Sequence, residues 1–318
     1  MKKNINIATS LDETYQNFIK SKCRKFEITF HDIESEGKSF QMCDGIWVTL
    51  FPLVDEALIN RFPRIKFVAS PTTGLTHIDM ELLRRENIEV FCLKNQTEFL
   101  KTITSTPEFT WGLMLSVWRK INLAANLYRG DSSIRKDFSS RQLKGLTLGI
   151  VGYGRVGKIL AKYGVAFEMK VVYYDPFIYE SFTNNMSEKI EDLSELLNIS
   201  DVIIVSASAE NSIQILNQQN IDFIKKGAVV INTARGVLID EEALAKKLEL
   251  GTIFGIGTDV LRKEELQFQD SKISELERLR NRGFNVVITP HIGGMSEDAF
   301  LSCCTNILQQ IEDYYSLD

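Results

Sequence analysis

Histidine is scarce in this chain of 318 residues, which holds three copies, His31, His77 and His291. Proton transfer by an imidazole therefore has only three candidates. The five cysteines form no C-x-x-C pair, which argues against a disulfide framework or a zinc site and favours a reducing compartment. No dense block of lysine and arginine occurs in a chain of net charge −5, so neither nucleic acid nor an anionic membrane is an expected partner.

Apolar runs of membrane-spanning length are also missing. The longest apolar helical stretch, residues 111–128, is interrupted by Arg119, Lys120, Asn122 and Asn126, which predicts a buried helix rather than a span. The first residues lack the apolar centre of a signal peptide. We therefore expect a cytoplasmic protein.

Short apolar runs alternate with amphipathic stretches along most of the chain. Strands are predicted at 5–8, 26–30, 45–49, 66–69, 88–93, 146–151, 170–174, 202–205, 228–232, 253–258 and 286–288. Repeated strand–helix–strand order predicts the α/β class, with two doubly wound parallel-sheet domains of Rossmann-like or flavodoxin-like type. Residues 129–144 are expected to form an arm or linker, and the charged residues 262–282 a solvated helix or insertion.

Three glycines follow the apolar strand LTLGIV in a G-x-G-x-x-G pattern, Gly152, Gly154 and Gly157. The first would allow a tight turn, the second a close approach of pyrophosphate, and the third close helix–strand packing. Arg155 and Val156 would begin a helix whose N-terminus attracts phosphate.

Asp175 ends the next predicted strand, where a carboxylate accepts hydrogen bonds from both ribose hydroxyls and repels a 2′-phosphate. This pattern favours NAD over NADP. The alternative is a structural glycine turn followed by an ordinary aspartate.

Further polar residues follow predicted strands near the end of the chain. Arg235 lies in NTARG after one strand, Asp259 and Glu264 follow another, and His291 lies in TPHIGG after a third. Each residue taken alone is more often structural. Because ligands of open α/β sheets bind beyond the carboxyl ends of the strands, their joint placement predicts one site.

The segments NTARGVLIDEEAL, TDV with Glu264 behind it, TPHIGG and the GYGRVG–YDP pair resemble the D-2-hydroxyacid dehydrogenase family, including short forms of phosphoglycerate dehydrogenase. The resemblance covers nearly the whole chain and is strongest from Leu143 to Asp298. It implies a substrate domain from 1–102 plus 291–318, an NAD-binding Rossmann domain from 103–290, and an active site in the cleft between them. It also implies a homodimer formed through residues 103–145.

The resemblance implies a role for each site residue. Arg235 would hold the carboxylate and carbonyl oxygen of a small 2-hydroxy or 2-keto acid, and His291 would exchange a proton with that oxygen during hydride transfer. Glu264 would favour the charged imidazole, and Asp259 would lie near the nicotinamide carboxamide. Other implied contacts are Ser206, Thr233, Ala234, Gly293 and Gly294 for the cofactor, and Thr73, Gly74 and Leu75 for the substrate. No metal is implied.

The other two histidines, and one departure from the family pattern, also bear on these roles. His77 follows the loop Ser70–Leu75 and is expected to stabilise it, while His31 is expected in a solvated polar turn. Ser206-Ala207-Ser208 stands where the family usually has His-x-Pro, on the nicotinamide side.

Two other functions stay open. Formate oxidation on the same scaffold uses glutamine beside the histidine, so Glu264 argues against it. An NAD-sensing binding module similar to the C-terminal-binding protein corepressors would keep the same fold and residues. Turnover of NADH with a panel of 2-keto acids distinguishes these functions, and the sequence leaves the identity of the acid open.

Overall fold

The structure, a computed structural model, describes residues 3–34, 38–127, 133–178, 187–209, 214–265 and 273–316. Contacts divide the chain into unit 1, Met1–Ile103 with Ser296–Asp318, and unit 2, Thr104–Met295. His291, which the sequence assigns to the last segment of the substrate domain, falls in unit 2.

The strands of the described residues are β1 Asn4–Thr9, β2 Glu27–Asp32, β3 Gly45–Trp47, β4 Phe67–Ala69, β5 Glu89–Phe91, β6 Thr147–Val151, β7 Lys170–Tyr174, β8 Glu188–Lys189, β9 Val202–Val205, β10 Val229–Asn232, β11 Gly255–Thr258 and β12 Val286–Ile288. The α-helices there are α1 Glu13–Lys22, α2 Glu56–Ile59, α3 Met80–Arg85, α4 Thr97–Leu100, α5 Ser105–Trp118, α6 Ile121–Leu127, α7 Arg155–Ala166, α8 Leu193–Ile199, α9 Glu241–Glu249, α10 Arg262–Glu265, α11 Glu275–Asn281 and α12 Glu297–Tyr314.

Unit 1 is built on a parallel sheet of strand order β2-β1-β3-β4-β5. Its central strands are apolar and covered on both faces, so that Ile5, Ile7 and Ile46 have no exposed surface. Helix α12 returns to this unit from the far end of the chain and buries Phe300 and Ile307 against the sheet.

Unit 2 contains a longer parallel sheet of strand order β12-β11-β10-β9-β6-β7-β8. The chain builds this sheet outward from β6 in one direction and then continues from β9 in the other. The boundary between β6 and β9 is therefore the topological switch point, where open α/β sheets bind their ligands. The two units confirm the predicted α/β class with two parallel-sheet domains.

The helix expected at 111–128 is two helices, α5 and α6. The N–H groups of Arg119 and Lys120 close the last turn of α5, and Lys120 has a φ of 51°, in the left-handed region that ends helices. Residues 128–132 of the expected helix and arm lie outside the described residues. The rest of the arm packs on α5, where Trp118 Nε1 donates to Arg141 O at 2.7 Å.

The charged segment 262–282 is not simply a solvated helix. Its second half forms α11, which begins with a capping box between Ser274 and Glu277. Leu276 and Leu279 are buried in the core of unit 2, so this charged helix is amphipathic. Residues 266–272 of the segment lie outside the described residues; for α11 the expectation of a solvated segment was wrong, because Leu276 and Leu279 anchor this helix in the core.

His31 was also misplaced by its polar neighbours in the sequence. It lies in strand β2 rather than in a turn, and is half-buried. Its Nε2 is 3.0 Å from Oδ1 of Asn6 on the adjacent strand β1.

Asp201, just before β9, is a buried carboxylate with a charged environment. It accepts a hydrogen bond from Thr147 N–H at 3.0 Å and lies 3.2 Å from Arg141 Nη1 and 3.0 Å from Lys225 Nζ. Burial acts to raise the pKa of this carboxyl, but the Thr147 hydrogen bond and the two cations outweigh it and hold the pKa below its usual value.

We expect Asp201→Asn to lower the free energy of unfolding at pH 7 by about 2 kcal/mol, because a charge-assisted hydrogen bond and two ion pairs are lost. Since the folded-state pKa is lowered, this stabilisation is present above the unfolded-state pKa and is lost as pH falls through the folded-state value. Urea unfolding at pH 7 and at about pH 3 should show the difference between variant and wild type shrinking in acid.

Asp222→Asn is the matched control, because Asp222 pairs with Lys247 at the surface with 79% of its side chain exposed. Exposed pairs contribute little, so this variant should unfold like the wild type. An Asp201→Asn deficit of equal size at both pH values would contradict the electrostatic explanation.

Candidate functional site

The turn after β6 requires glycine at its first position. Gly152 has a φ of +93°, and a Cβ there would lie 2.5 Å from both Cα and N of Ala207. Ser206 Oγ donates a hydrogen bond to Gly152 O at 2.7 Å. Ser206 and Ala207 therefore lie directly against the glycine turn.

The other two glycines of the motif serve different purposes. A Cβ on Gly157 would overlap Gly152 O, so this glycine lets α7 pack against the end of β6. Among the residues that the structure describes, a Cβ on Gly154 would meet no atom within 4 Å. Gly154 is the N-cap of α7 without a side-chain cap, and the first turn of that helix carries no acidic residue. This open helix N-terminus, followed by Arg155 and Val156, fits an anionic group such as pyrophosphate.

Asp175, directly after β7, is tied to the same turn. Its Oδ2 accepts from Tyr153 N–H at 2.8 Å and its Oδ1 from Phe177 N–H at 3.0 Å. The ring of Tyr153 stacks on Tyr173, with centroids 3.7 Å apart. A half-buried carboxylate held beside the glycine turn fits the ribose of a dinucleotide, and Pro176-Phe177 adds no cation for a 2′-phosphate.

His291 and Glu264 form a hydrogen-bonded pair in unit 2. Nδ1 of His291 lies 3.1 Å from Oε2 of Glu264, and the two side chains are 28% and 16% exposed. The other oxygen of Glu264 accepts from Leu261 N–H at 2.9 Å, which fixes the carboxylate. A carboxylate can only accept, so we assign the proton of this hydrogen bond to Nδ1, which leaves Nε2 to exchange a proton with a ligand.

Asp259 shapes the loop that carries His291. It is 1% exposed and accepts three hydrogen bonds, from Thr289 Oγ1 at 2.6 Å, Ile292 N–H at 2.9 Å and Gly293 N–H at 2.7 Å. Its backbone oxygen accepts from His291 N–H, where the histidine has a φ of 56°. The sequence did not predict that Asp259 shapes the loop of His291. The available signal was an acid after one strand and the TPHIGG turn after the next.

Arg235 lies just beyond β10, half-buried. Its Nη1 donates to Ala234 O at 2.7 Å. The fully buried Asn232 donates to Arg235 O and accepts from Ala234 N–H, so its side chain sets the shape of this turn. Neighbouring Thr233 is hydrogen-bonded to Thr110 of α5, with 2.7 Å between the two Oγ1 atoms. Thr110 Oγ1 donates its single proton to Thr106 O, so it accepts from Thr233 Oγ1.

The register of the sheet brings these residues to one edge. Val151 pairs with Tyr174 and Val205, and Asn232 pairs with Val205 and Thr258. Site residues therefore follow the carboxyl ends of adjacent strands, namely Gly152, Asp175, Ser206, Thr233, Ala234, Arg235, Asp259, His291, Gly293 and Gly294.

The expected substrate loop, with Thr73, Gly74 and Leu75, lies in unit 1 after β4. Thr72 Oγ1 donates to Gly74 O at 3.0 Å and lies 2.9 Å from Ser70 Oγ. His77 is 6% exposed, and its Nε2 lies 3.2 Å from Ser70 Oγ. These contacts fix the shape of the loop and give His77 a structural place beneath it.

Two other kinds of site are absent from the described residues. No three His, Cys, Asp or Glu side chains in that part of the chain group as metal ligands would. Among the helices described, none combines the length and apolar character needed to cross a membrane.

Comparison with known families matches both parts of the chain. Residues 111–293 match the profile described as the NAD binding domain of D-isomer specific 2-hydroxyacid dehydrogenases, and residues 5–97 match the profile of their catalytic domain. The D-3-phosphoglycerate dehydrogenase of Methanocaldococcus jannaschii is 32% identical over 81% of this chain. The match covers 47% of that protein, so the chain spans about half the length of this relative.

Two further comparisons cover nearly the full length. The hydroxypyruvate reductase of Thermotoga maritima is 29% identical over 93% of this chain and 92% of its own. The solved structure of D-lactate dehydrogenase from Aquifex aeolicus, complexed with NAD and lactic acid, is 25% identical. It is similar with a TM-score of 0.80 over 98% of this chain and 96% of that chain.

Proposed function

Because the chain belongs to the D-isomer specific 2-hydroxyacid dehydrogenase family, it is an NAD-dependent oxidoreductase, and we propose that it interconverts a small D-2-hydroxy acid and its 2-keto acid. The observation that carries the proposal is the His291–Glu264 pair at the same sheet edge as Arg235 and the glycine turn. That edge offers a proton donor, a cation and an anion-binding helix end.

The acid–base step is assigned to His291. Nε2 gives its proton to the carbonyl oxygen of the keto acid during reduction and takes it back during oxidation. Glu264, fixed by Leu261 N–H, accepts a hydrogen bond from Nδ1 and so orients the ring. The bound nicotinamide supplies or accepts the hydride.

Substrate binding is assigned to Arg235 and the loop of unit 1. The planar guanidinium of Arg235 can hold a carboxylate and the adjacent carbonyl oxygen together. In unit 1, the backbone N–H groups of Thr73, Gly74 and Leu75 are proposed to contact the substrate, in a loop whose shape Ser70 and His77 fix.

Cofactor binding is assigned to the sheet edge on both sides of the switch point. Residues Gly152 to Gly157 would hold the pyrophosphate and Asp175 the ribose. The nicotinamide half is proposed to contact Ser206, Thr233, Ala234, Asp259, Gly293 and Gly294. The open space at Gly154 and the absence of acidic residues in the first turn of α7 support this assignment.

Loss of NADH absorbance with a panel of 2-keto acids tests the proposal. Glyoxylate, pyruvate, hydroxypyruvate and phosphohydroxypyruvate should include a substrate turned over at about 1–1000 s⁻¹, and NADPH should be used less well. Binding of NADH without turnover of any acid would instead indicate an NAD-sensing module. Oxidation of formate would refute the assigned role of Glu264.

The proposal extends to a cytoplasmic homodimer joined through residues 103–145. Large apolar side chains on α6, at the end of α7 and just beyond it are exposed, with Ile121 at 53%, Val165 at 39% and Phe167 at 42%. Phe167 and Leu115 line a cavity of about 420 Å³ beside α5. Association through residues 103–145 would bury Ile121 and cover the cavity that Leu115 lines. Light scattering should give the mass of two chains, and a monomeric mass would contradict the dimer.

A further inference from the structure

Glu241 is a buried carboxylate to which the proposed mechanism gives no role. It is the first residue of α9 and 9% exposed. Its Oε1 accepts a hydrogen bond from the backbone N–H of Arg262 at 2.6 Å. Arg262 begins α10, the single turn that carries Glu264. Glu264 itself accepts from Leu261 N–H, so two carboxylates hold the N–H groups of consecutive residues.

Gly236 meets the same peptide from another side. A Cβ on Gly236 would overlap the carbonyl group of Leu261 and the nitrogen of Arg262. Gly236 directly follows Arg235, and the short turn Gly236–Leu238 leads towards Glu241. The segment 235–241 therefore touches the Leu261–Arg262 peptide at both of its ends, once by backbone contact and once by hydrogen bond.

The position of Glu241 is electrostatically costly. Burial raises the pKa of its carboxyl, and the carboxylates of Glu277 and Glu264 raise it further, while the hydrogen bond from Arg262 N–H and the charge of Arg262 oppose them. A buried acid near two others destabilises a fold unless its hydrogen bonds compensate. The compensating bond here is the one to the Arg262 peptide.

We propose that Glu241 is a positioning residue, which clamps the Leu261–Arg262 peptide against Gly236 and so holds Glu264 within hydrogen-bonding distance of His291 Nδ1. The same clamp sets the spacing between the loops of Arg235 and Glu264. The effect on catalysis rests on the proposed function, whereas the geometry of the His291–Glu264 pair does not.

Proton NMR of the His291 Nδ1–H tests the geometry without turnover. The chain has only three histidines, so this resonance is assigned by its loss in His291→Gln. Glu241→Ala should weaken or remove it, as Glu264→Gln should. Glu241→Gln, which keeps an oxygen acceptor for Arg262 N–H, should retain it. Glu242→Ala is the matched control, an exposed glutamate in the same helical turn, and should also retain it.

Kinetics then test the consequence for catalysis. Glu241→Ala should lower kcat about tenfold or more, with NADH affinity near wild type, while Glu241→Gln stays within about threefold. A wild-type Nδ1–H signal and kcat in a folded Glu241→Ala protein would overturn the proposal. Absence of turnover in the wild type would refute the proposed function alone, because the NMR comparison would still decide the role of Glu241.

Gly236→Ala provides a second route if Glu241→Ala fails to fold. Its methyl group should displace the Leu261–Arg262 peptide and weaken the same resonance with Glu241 intact. An unchanged resonance in that variant would overturn the clamp.

Discussion

Replacing His291 with glutamine should lower turnover of the keto acid by about 10²–10⁴-fold while NADH affinity stays near wild type. Glutamine can still donate a hydrogen bond to the carbonyl oxygen, but it has no proton to transfer. The side chain belongs to a loop after β12, whereas the proposed pyrophosphate site lies after β6. Steady-state kinetics give kcat, and quenching of protein fluorescence gives the Kd of NADH.

His31→Gln is the matched control for this experiment. The substitution is chemically identical, and His31 contacts Asn6 at the edge of the sheet of unit 1, outside every residue assigned to the site. Turnover should be unchanged. If His291→Gln were as active as the wild type, the proton donor would have to be reassigned, and His77 would be the imidazole to test next.

Replacing Gly154 with alanine should weaken NADH binding about 100-fold, on the order of 3 kcal/mol, without unfolding the protein. A methyl group at this position meets no atom of the described residues within 4 Å, so it would occupy the space assigned to pyrophosphate. Stability should change by less than about 1 kcal/mol, the cost of exchanging glycine for alanine at an N-cap. Fluorescence titration and urea unfolding measure the two quantities separately.

Gly157→Ala should lower the stability of the protein, which Gly154→Ala should leave nearly unchanged. Its methyl group would overlap Gly152 O, so the helix must shift, and we expect a loss of about 2 kcal/mol in unfolding free energy. A Gly154→Ala protein that binds NADH normally would exclude the glycine turn as the pyrophosphate site. If both variants lost the same stability, the distinction between open and packed glycines would be wrong.

The sequence predicted most closely those elements whose signal is local. Strands β7, β9 and β12 have the predicted bounds, because each is a short, mostly apolar run that a polar residue follows directly. The break between α5 and α6 was missed, since it depends on one residue in a left-handed conformation, Lys120, which the sequence pattern does not reveal. The leucines of α11 were hidden by the charges around them.

For the site, too, the sequence identified only those residues that have a local signal. The glycine turn, Asp175, Arg235, Glu264 and His291 stand out because strand ends and motifs mark them, and their individual roles in binding and catalysis stay predictions. The supporting residues were missed because their partners are distant in sequence. Thr110 meets Thr233 across 123 positions, and Glu241 meets Arg262 across 21. No local pattern reports such contacts.

The reversal of strand order beside β6 has a consequence for how this protein can diversify. The residues proposed to bind the pyrophosphate and ribose follow β6 and β7, while the proposed acid–base loop and Arg235 follow β10, β11 and β12. Substitutions that exchange NAD for NADP can therefore accumulate after β6 and β7. Substitutions that alter the acid–base chemistry can accumulate separately, after β10, β11 and β12. The two properties can be inherited and engineered as separate traits.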